Sequence, residues 1–305
     1  MAVLRPLSEA LPGTRVDLPG GRSVLCADEL RLSFSGLSVL SGVSFEVLPG
    51  ELFAVIGPAG AGKTSLFNCL TGLYRPTHGS IRFLGRDVVG MRPSDIAHLG
   101  MARTFQNIEL FENLTVLENL MLGRQTHIGY GTFAAFVYAG RAKAAEVRSR
   151  RIVEDIIDFV GIERFRKVPV GTLPYGIKKR VELGRALAME PKLLLLDEPV
   201  SGMNLEETED MARFILDIRE ELGLAMILVD HDMRLVMDLA DRILALDFGV
   251  PIAIDVPFEI QRNPDVIQAY LGEEHRVARG AGASSGGESD GEPLSDMRRQ
   301  TGGDS

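Results

Sequence analysis

The chain has 305 residues, 45% of them hydrophobic, and a formal net charge of -9 at pH 7. That length and apolar content suffice for one large or two modest domains with a real core. The negative balance argues against broad nucleic-acid binding, which needs a basic face, and no stretch approaches the roughly 20 apolar residues of a membrane-spanning helix.

Residues 1–24 mix Pro, Gly and Arg without clear periodicity and read as a loose arm. They lack the continuous apolar segment of a secretory signal. Cys26 and Cys69 lack metal-ligand spacing and read as small buried thiols, so the expected compartment is the reducing cytoplasm. Work at a membrane would then require docking on another protein. Leu30 to Phe34 and Val43 to Val47 alternate as strands do, Pro49-Gly50 turns the chain, and Glu51 to Ile56 is a buried apolar strand.

Gly57-Pro58-Ala59-Gly60-Ala61-Gly62-Lys63-Thr64 follows directly and matches G-x-x-x-x-G-K-[ST], the loop that wraps a nucleotide's phosphates. Its glycines let successive N–H groups point at one anion, and the helix opening at about Gly62 adds unsatisfied donors. Lys63 supplies a cation for the β- and γ-phosphates and Thr64 a hydroxyl for Mg²⁺. Ser65, Leu66, Phe67, Leu70 and Leu73 have helix-like spacing, so the order is strand, glycine loop, helix.

Ile81 and Phe83 mark another strand, ending near Gly85. Met101 to Phe105 is strand-like and delivers Gln106, a neutral amide able to bond a water or a metal's shell. Thr115 and Glu118 form a capping box that starts a helix. Tyr130 to Ala139 is the most apolar stretch and is far too short to span a bilayer. A charged helix runs from about Arg141 to Phe159 and stops at Gly161, and a further one covers Lys178 to Met189.

Leu193 to Leu196 and Leu224 to Val229 are continuous apolar runs, as in strands covered on both faces of a parallel sheet. The first ends in Asp197-Glu198. Asp197 is placed to hold Mg²⁺, directly or through water; Glu198 can accept a proton from the attacking water or polarise it. Between the two runs, Asn204 and Glu207 start a helix with Met211, Phe214, Ile215, Ile218 and Leu222 on one stripe, closed by Gly223. His231 follows the second run, where a neutral imidazole can bond both γ-phosphate and a water-activating carboxylate. No internal repeat is evident, so there is one nucleotide unit. Beyond Glu273 the chain is rich in Gly, Ser, Arg and acids and reads as disordered.

The order Phe34, glycine loop, Gln106, Leu173-Pro174-Tyr175-Gly176-Ile177, Asp197-Glu198, Ser201-Gly202-Met203-Asn204 and His231 resembles the nucleotide-binding subunit of an ATP-binding-cassette (ABC) transporter, over about Leu25 to Gly272. Arg75-Pro-Thr-His-Gly79, Arg103-Thr-Phe-Gln106, Leu110-Phe111, Leu114-Thr-Val116 with Glu118-Asn119, Gly202-Met-Asn204, and Asn263-Pro-Asp-Val-Ile267 with Ala269-Tyr-Leu-Gly272 are similar to the ATPases of branched-chain amino-acid importers. The resemblance implies an α/β fold of the P-loop NTPase, ABC-type: a mixed-sheet core with an antiparallel β subdomain and an α-helical subdomain at about 107–185. These lie within a nucleotide-binding domain over 25–272, flanked by the arm 1–24 and the tail 273–305.

The resemblance further implies a head-to-tail dimer, homo- or heterodimeric, with two ATP molecules at the joint. Phe34 would stack on adenine; Gly57, Pro58, Ala59, Gly60, Ala61, Gly62, Lys63, Thr64 and Ser65 would hold phosphates. Thr64, Gln106 and Asp197 would surround Mg²⁺, with Glu198 as general base and His231 as γ-phosphate switch. Pro174, Tyr175 and Gly176 would reach the partner's ATP, and Asn204 would lie between the two sites. Other implied partners are transmembrane permease subunits, gripped by the helical subdomain, and a solute-binding protein; nucleic acid is not among them. The protein would be peripheral to the inner face of the membrane, powering import of a small polar solute, an amino acid or amide. An exporter ATPase of the lipopolysaccharide type and a soluble ABC protein acting on nucleic acid are the alternatives. Two departures stand out. The family's Leu-Ser-Gly-Gly-Gln is here Leu-Pro-Tyr-Gly-Ile, which loses a hydroxyl and an amide, leaves Gly176 and backbone donors for phosphate, and implies a weaker or partner-dependent sandwich. Asp247 to Ile252 replaces a more polar turn.

Overall fold

The computed structural model describes residues 6–16, 18, 22–104, 108–127 and 139–270, with backbone only for 139–144. One turn of helix, α1 (Leu7–Ala10), precedes the hairpin β1 (Leu25–Phe34) and β2 (Leu37–Val47). β3 (Leu52–Ile56) leads through the glycine loop into α2 (Lys63–Leu70), followed by β4 (His78–Phe83), β5 (Arg86–Asp87), α3 (Pro93–Leu99) and β6 (Met101–Arg103). α4 (Val116–Gly123), α5 (Ala139–Phe159) and α6 (Tyr175–Leu187) form a helical region. The chain then runs through β7 (Leu193–Asp197), α7 (Leu205–Leu222), β8 (Ala225–Val229), α8 (Met233–Leu239), β9 (Arg242–Asp247), β10 (Val250–Asp255) and α9 (Pro257–Ile260).

The strands make two sheets. An antiparallel one has the order β2-β1-β4-β5, and a mixed one the order β10-β9-β3-β8-β7-β6, parallel throughout except for β10. The uninterrupted apolar runs of β3, β7 and β8 have a simple cause: successive side chains point to opposite faces, and both faces are covered. Leu52, Ala54, Ile56, Leu194, Leu196, Met226 and Leu228 join the core made with the helical side of the molecule. Phe53, Val55, Leu193, Leu195, Ile227 and Val229 join the other core, made with α2 and the antiparallel sheet. Every residue of these three strands is buried.

Both capping boxes form. Thr115 Oγ1 accepts from the Glu118 N–H while Glu118 Oε2 accepts from Thr115 N–H, and Asn204 and Glu207 do the same at α7. The buried Asn119 amide fixes the loop before α4, donating to the Phe111, Leu114 and Thr115 carbonyls and accepting from Phe111 N–H. α4 and α6 touch backbone to backbone: a Cβ on Gly123 would lie 2.5 Å from the Arg185 carbonyl oxygen.

Residues 6–16 are not loose. Leu7, Ala10 and Leu11 are buried in the helical-side core, and Leu7 N–H donates to Glu221 Oε2 at 3.2 Å, near the end of α7. Their spacing of three and four residues makes a one-turn apolar stripe that the surrounding Pro and Gly conceal. α6 begins earlier than Lys178, at Tyr175, because Pro174 takes the extended backbone of a helix N-cap, with φ -56° and ψ 154°. Cys26 is half-buried rather than buried; Cys69 is buried, and desolvation raises its thiol pKa to about 11. The stretch 130–138 and the tail from 271 onward lie outside the described residues. Among the described residues no helix is long and apolar enough to cross a membrane.

The turn at Phe248-Gly249 has a structural role. Gly249 N–H donates to the Ala61 carbonyl in the glycine loop, and its own carbonyl accepts from Ser41 N–H on β2. With φ at 77° and a would-be Cβ only 2.0 Å from the Val39 carbonyl oxygen, only glycine fits. The backbone of Gly249 thus ties the β9–β10 turn to the phosphate loop and to the antiparallel sheet.

Candidate functional site

The glycine loop leaves the buried end of β3 and enters α2, whose N-terminus has no side-chain cap and no acidic residue in its first turn. Its leading N–H donors therefore face the loop, ready for an anion. Gly57 sits so close to β9 that a Cβ would lie 2.3 Å from the Leu246 carbonyl oxygen. Ala59, Gly60 and Thr64 are exposed, Gly62 and Ser65 half-buried, and Pro58 and Ala61 buried. The buried Lys63 folds back over the loop, and Nζ donates to the Gly57 and Pro58 carbonyls at 2.6 and 3.0 Å. An ammonium held at the mouth of an N–H-rich concavity is a phosphate-binding arrangement.

The acidic pair stands at the end of β7, beside β8, where Asp197 pairs with Val229. Asp197 is buried; its N–H donates to Thr104 Oγ1 at 3.2 Å, and Oδ2 accepts from Arg103 Nη2 at 2.6 Å. Arg103 Nη1 donates in turn to Asn68 Oδ1 on α2 at 2.7 Å, and the guanidinium lies over the Phe67 ring. Glu198 has φ of +48°, a left-handed conformation uncommon for a non-glycine residue and typical of strained functional turns. That conformation is fixed by its N–H bond to the Val229 carbonyl at 2.7 Å, and Glu198 Oε1 lies 2.6 Å from His231 Nε2.

The His231 ring is exposed, whereas the preceding Asp230 is buried and braces the turn, accepting from the Asp232 and Val200 N–H groups. Burial pushes the Asp230 pKa up, against the backbone hydrogen bonds, and the nearby Glu198 charge pushes it the same way. Asp232 caps α8 through bonds from Arg234 and Leu235 N–H.

Phe34 ends β1 with 46% of its surface exposed and meets Tyr74 edge to face at 5.2 Å, leaving a ring available for stacking. The signature residues divide. Pro174 and Tyr175 are exposed, while Gly176 is buried against Glu207, whose Oε1 lies 2.2 Å from where a Cβ would stand. Gly176 thus leaves no room for a side chain beside the α7 capping box, and the exposed side chains of the segment are Pro174 and Tyr175. Tyr175 packs on Gly202, and its hydroxyl pKa is raised by burial first, then by Glu182 and Glu198. Ile177 packs against the helical-side core. Gln106 lies outside the described residues.

The adjacent turns after β7 and β8 therefore bring together Glu198, Asp230 and His231, and Asp197 is tied to the phosphate-loop helix through Arg103 and Asn68. Sequence reading did not single out Arg103, Asn68 or Asp230 for a role; Arg103 and Asp197 meet only because β6 pairs with β7. For Mg²⁺, the donors present are a buried carboxylate and an exposed hydroxyl, Asp197 and Thr64. Among the described residues no cluster of His, Cys, Asp or Glu could form a metal cage by itself. Hard oxygen donors in that small number fit Mg²⁺, which completes its octahedron with phosphate and water.

A cleft of about 430 Å³ opens between α3, β6, α4 and α6, lined by Leu73, Ile96, Met101, Leu122, Arg185 and Met189. Arg185 donates to the Glu109 carbonyl, and burial lowers its pKa.

Residues 40–201 match the ABC transporter family model, and residues 251–276 match that of the branched-chain amino acid ATP-binding cassette transporter. The chain is 38% identical over 252 residues to the high-affinity branched-chain amino acid transport ATP-binding protein BraF of Pseudomonas aeruginosa, covering 83% of this chain and 99% of the relative. It is 36% identical over 250 residues to LivG of Escherichia coli, a protein of the same description, covering 82% and 98%. Among solved structures, a nucleotide-free ATP-binding cassette from an ABC transporter superposes with a TM-score of 0.71 at 26% identity, over 82% of this chain and 99% of the other. The ADP conformation of an ATP-binding cassette gives the same values. The glycine loop, the acidic strand end and the histidine turn thus sit in a fold shared almost end to end with these relatives, and the chain belongs to the ABC transporter family.

Proposed function

We infer that the protein is the ATP-hydrolysing subunit of an importer for branched-chain amino acids or a related amino acid or amide. The observation that carries this reading is the joint placement of a lysine-closed phosphate loop and a Glu198–His231 pair at neighbouring ends of one sheet. The names of the near full-length relatives supply the solute class. The match over 251–276 favours import over a lipopolysaccharide-type export role.

In this reading Gly57 to Ser65 bind the phosphates and Phe34 stacks on the base. Thr64 and Asp197 would hold Mg²⁺, with Gln106, and the metal would neutralise charge on the phosphates. Glu198 takes the proton of the attacking water, and its strained turn and the His231 contact fix where its carboxylate points. His231 then bonds the γ-phosphate from its exposed edge. Positioning and charge stabilisation supply most of the catalysis in phosphoryl transfer, so rigid bracing by Asp230 and by β8 is functional.

Two copies would close head to tail, with Pro174, Tyr175 and the N-terminal donors of α6 meeting the partner's nucleotide. The apolar cleft between α3 and α6 would take a permease segment. The expected result is that the chain, expressed with its genomic neighbours, copurifies with membrane subunits and shows ATPase activity stimulated by a branched-chain amino acid with its binding protein. Copurification with nucleic acid instead, or ATPase indifferent to every amino acid and amide tried, contradicts this assignment.

A further inference from the structure

Arg103 is a cation built into the proposed metal site, and the nucleotide reaction as derived above does not use it. Its side chain and that of Asp197 are buried to 7% and 3% exposure, and the two meet at 2.6 Å. The guanidinium is held from three sides: by Asp197 on β7, by Asn68 on the phosphate-loop helix, and by the face of Phe67. Its neighbour Thr104 holds the Asp197 backbone through the hydroxyl and pairs with the Leu195 carbonyl through its N–H. Arg103 and Thr104 also stand immediately before the segment that carries Gln106.

We propose that Arg103 is a positioning residue that sets the Mg²⁺ affinity of the nucleotide site by acting as a resident counter-charge to Asp197. This role rests on the nucleotide-site reading above. Arg103 occupies Oδ2, so a metal held by Asp197 would use Oδ1 or compete with the guanidinium. A fixed positive charge one bond from the carboxylate lowers that carboxylate's attraction for a divalent cation, because the two cations repel in a poorly solvated site. The site is thereby kept from taking up the metal firmly until phosphates add their negative charge. Metal then arrives with the nucleotide. The Asn68 contact transmits the same setting to the helix that receives the phosphates, so carboxylate and phosphate loop move as one unit.

The test measures binding of a fluorescent ADP to the full chain across a Mg²⁺ titration, with EDTA as the metal-free point. In Arg103→Gln the Mg²⁺ concentration giving half-maximal enhancement should fall about tenfold, the low end of the size of outer-shell effects on metal sites. Arg103→Lys, which breaks the same fork but keeps the charge, should stay near wild type. Asn68→Asp, which neutralises Arg103 from its other side, should shift in the direction of Arg103→Gln and serves if that variant folds poorly. A half-maximal Mg²⁺ concentration that is unchanged or raised in both neutralising variants overturns the proposal, as does a shift of equal size in Arg103→Lys. If wild-type protein binds no nucleotide with or without metal, the site reading itself fails and takes the proposal with it; retained binding with a flat Mg²⁺ response removes only the proposal.

Discussion

Glu198→Gln is expected to bind ATP as the unaltered protein does while turning over about 10²- to 10⁴-fold more slowly, the usual contribution of a positioned general base. The substitution keeps the shape of the side chain and a hydrogen-bonding oxygen, so the contact with His231 at 2.6 Å can persist in altered form. The left-handed turn at residue 198 is set by the backbone bond to Val229, which the change does not touch. What is lost is the carboxylate's capacity to take a proton. ATP should therefore remain bound and uncleaved, and an ATP-loaded dimer should accumulate. Single-turnover hydrolysis and size-exclusion with ATP measure the two consequences. Hydrolysis at the normal rate would show that Glu198 is not the base.

Lys63→Ala should weaken nucleotide binding by about 10- to 100-fold, corresponding to loss of one charge-assisted hydrogen bond at roughly 1.5–3 kcal/mol. Its ammonium is the only cation of the glycine loop itself, and it bridges the Gly57 and Pro58 carbonyls. Removing it takes away the charge and also leaves those carbonyls to be satisfied by water, so the loop loses part of its preset shape. Titration of fluorescent ATP would measure the loss. Unchanged affinity would mean that phosphates bind elsewhere.

Much of this architecture could be read from local pattern. β3, β7 and β8 are apolar without interruption because two cores press on one sheet, and a polar residue on either face would have to be buried. The helix starts at Thr115 and Asn204 were legible because a capping box is a reciprocal bond between residues three apart. Three features escaped for physical reasons. α1 is a single turn whose stability comes from docking Leu7 and Leu11, and its own sequence carries no cap. The start of α6 is signalled by Pro174 where a polar N-cap residue is the usual mark. The Arg103–Asp197 pair joins residues separated by 94 positions, a relation that neither periodicity nor short motifs encode. The close approach of Glu207 to Gly176 is likewise a tertiary matter, set by another helix.

The signature segment illustrates the same limit. Its sequence indicates which hydrogen-bonding groups are missing, but only the packing of Tyr175 on Gly202 and of Ile177 on the core explains what replaces them. The outward face becomes a ring and a proline, stiff and weakly polar. On the proposed function, contact with a partner's nucleotide would fall to the leading N–H groups of α6.

The most direct measurement is a crystal structure of the full chain grown with magnesium and a non-hydrolysable ATP analogue. The triphosphate should lie along Gly57 to Ser65, with Lys63 swung from its carbonyls onto the β- and γ-phosphates and His231 at the γ-phosphate. A nucleotide seated elsewhere, or a glycine loop still closed on Lys63 at saturating analogue, would contradict the account.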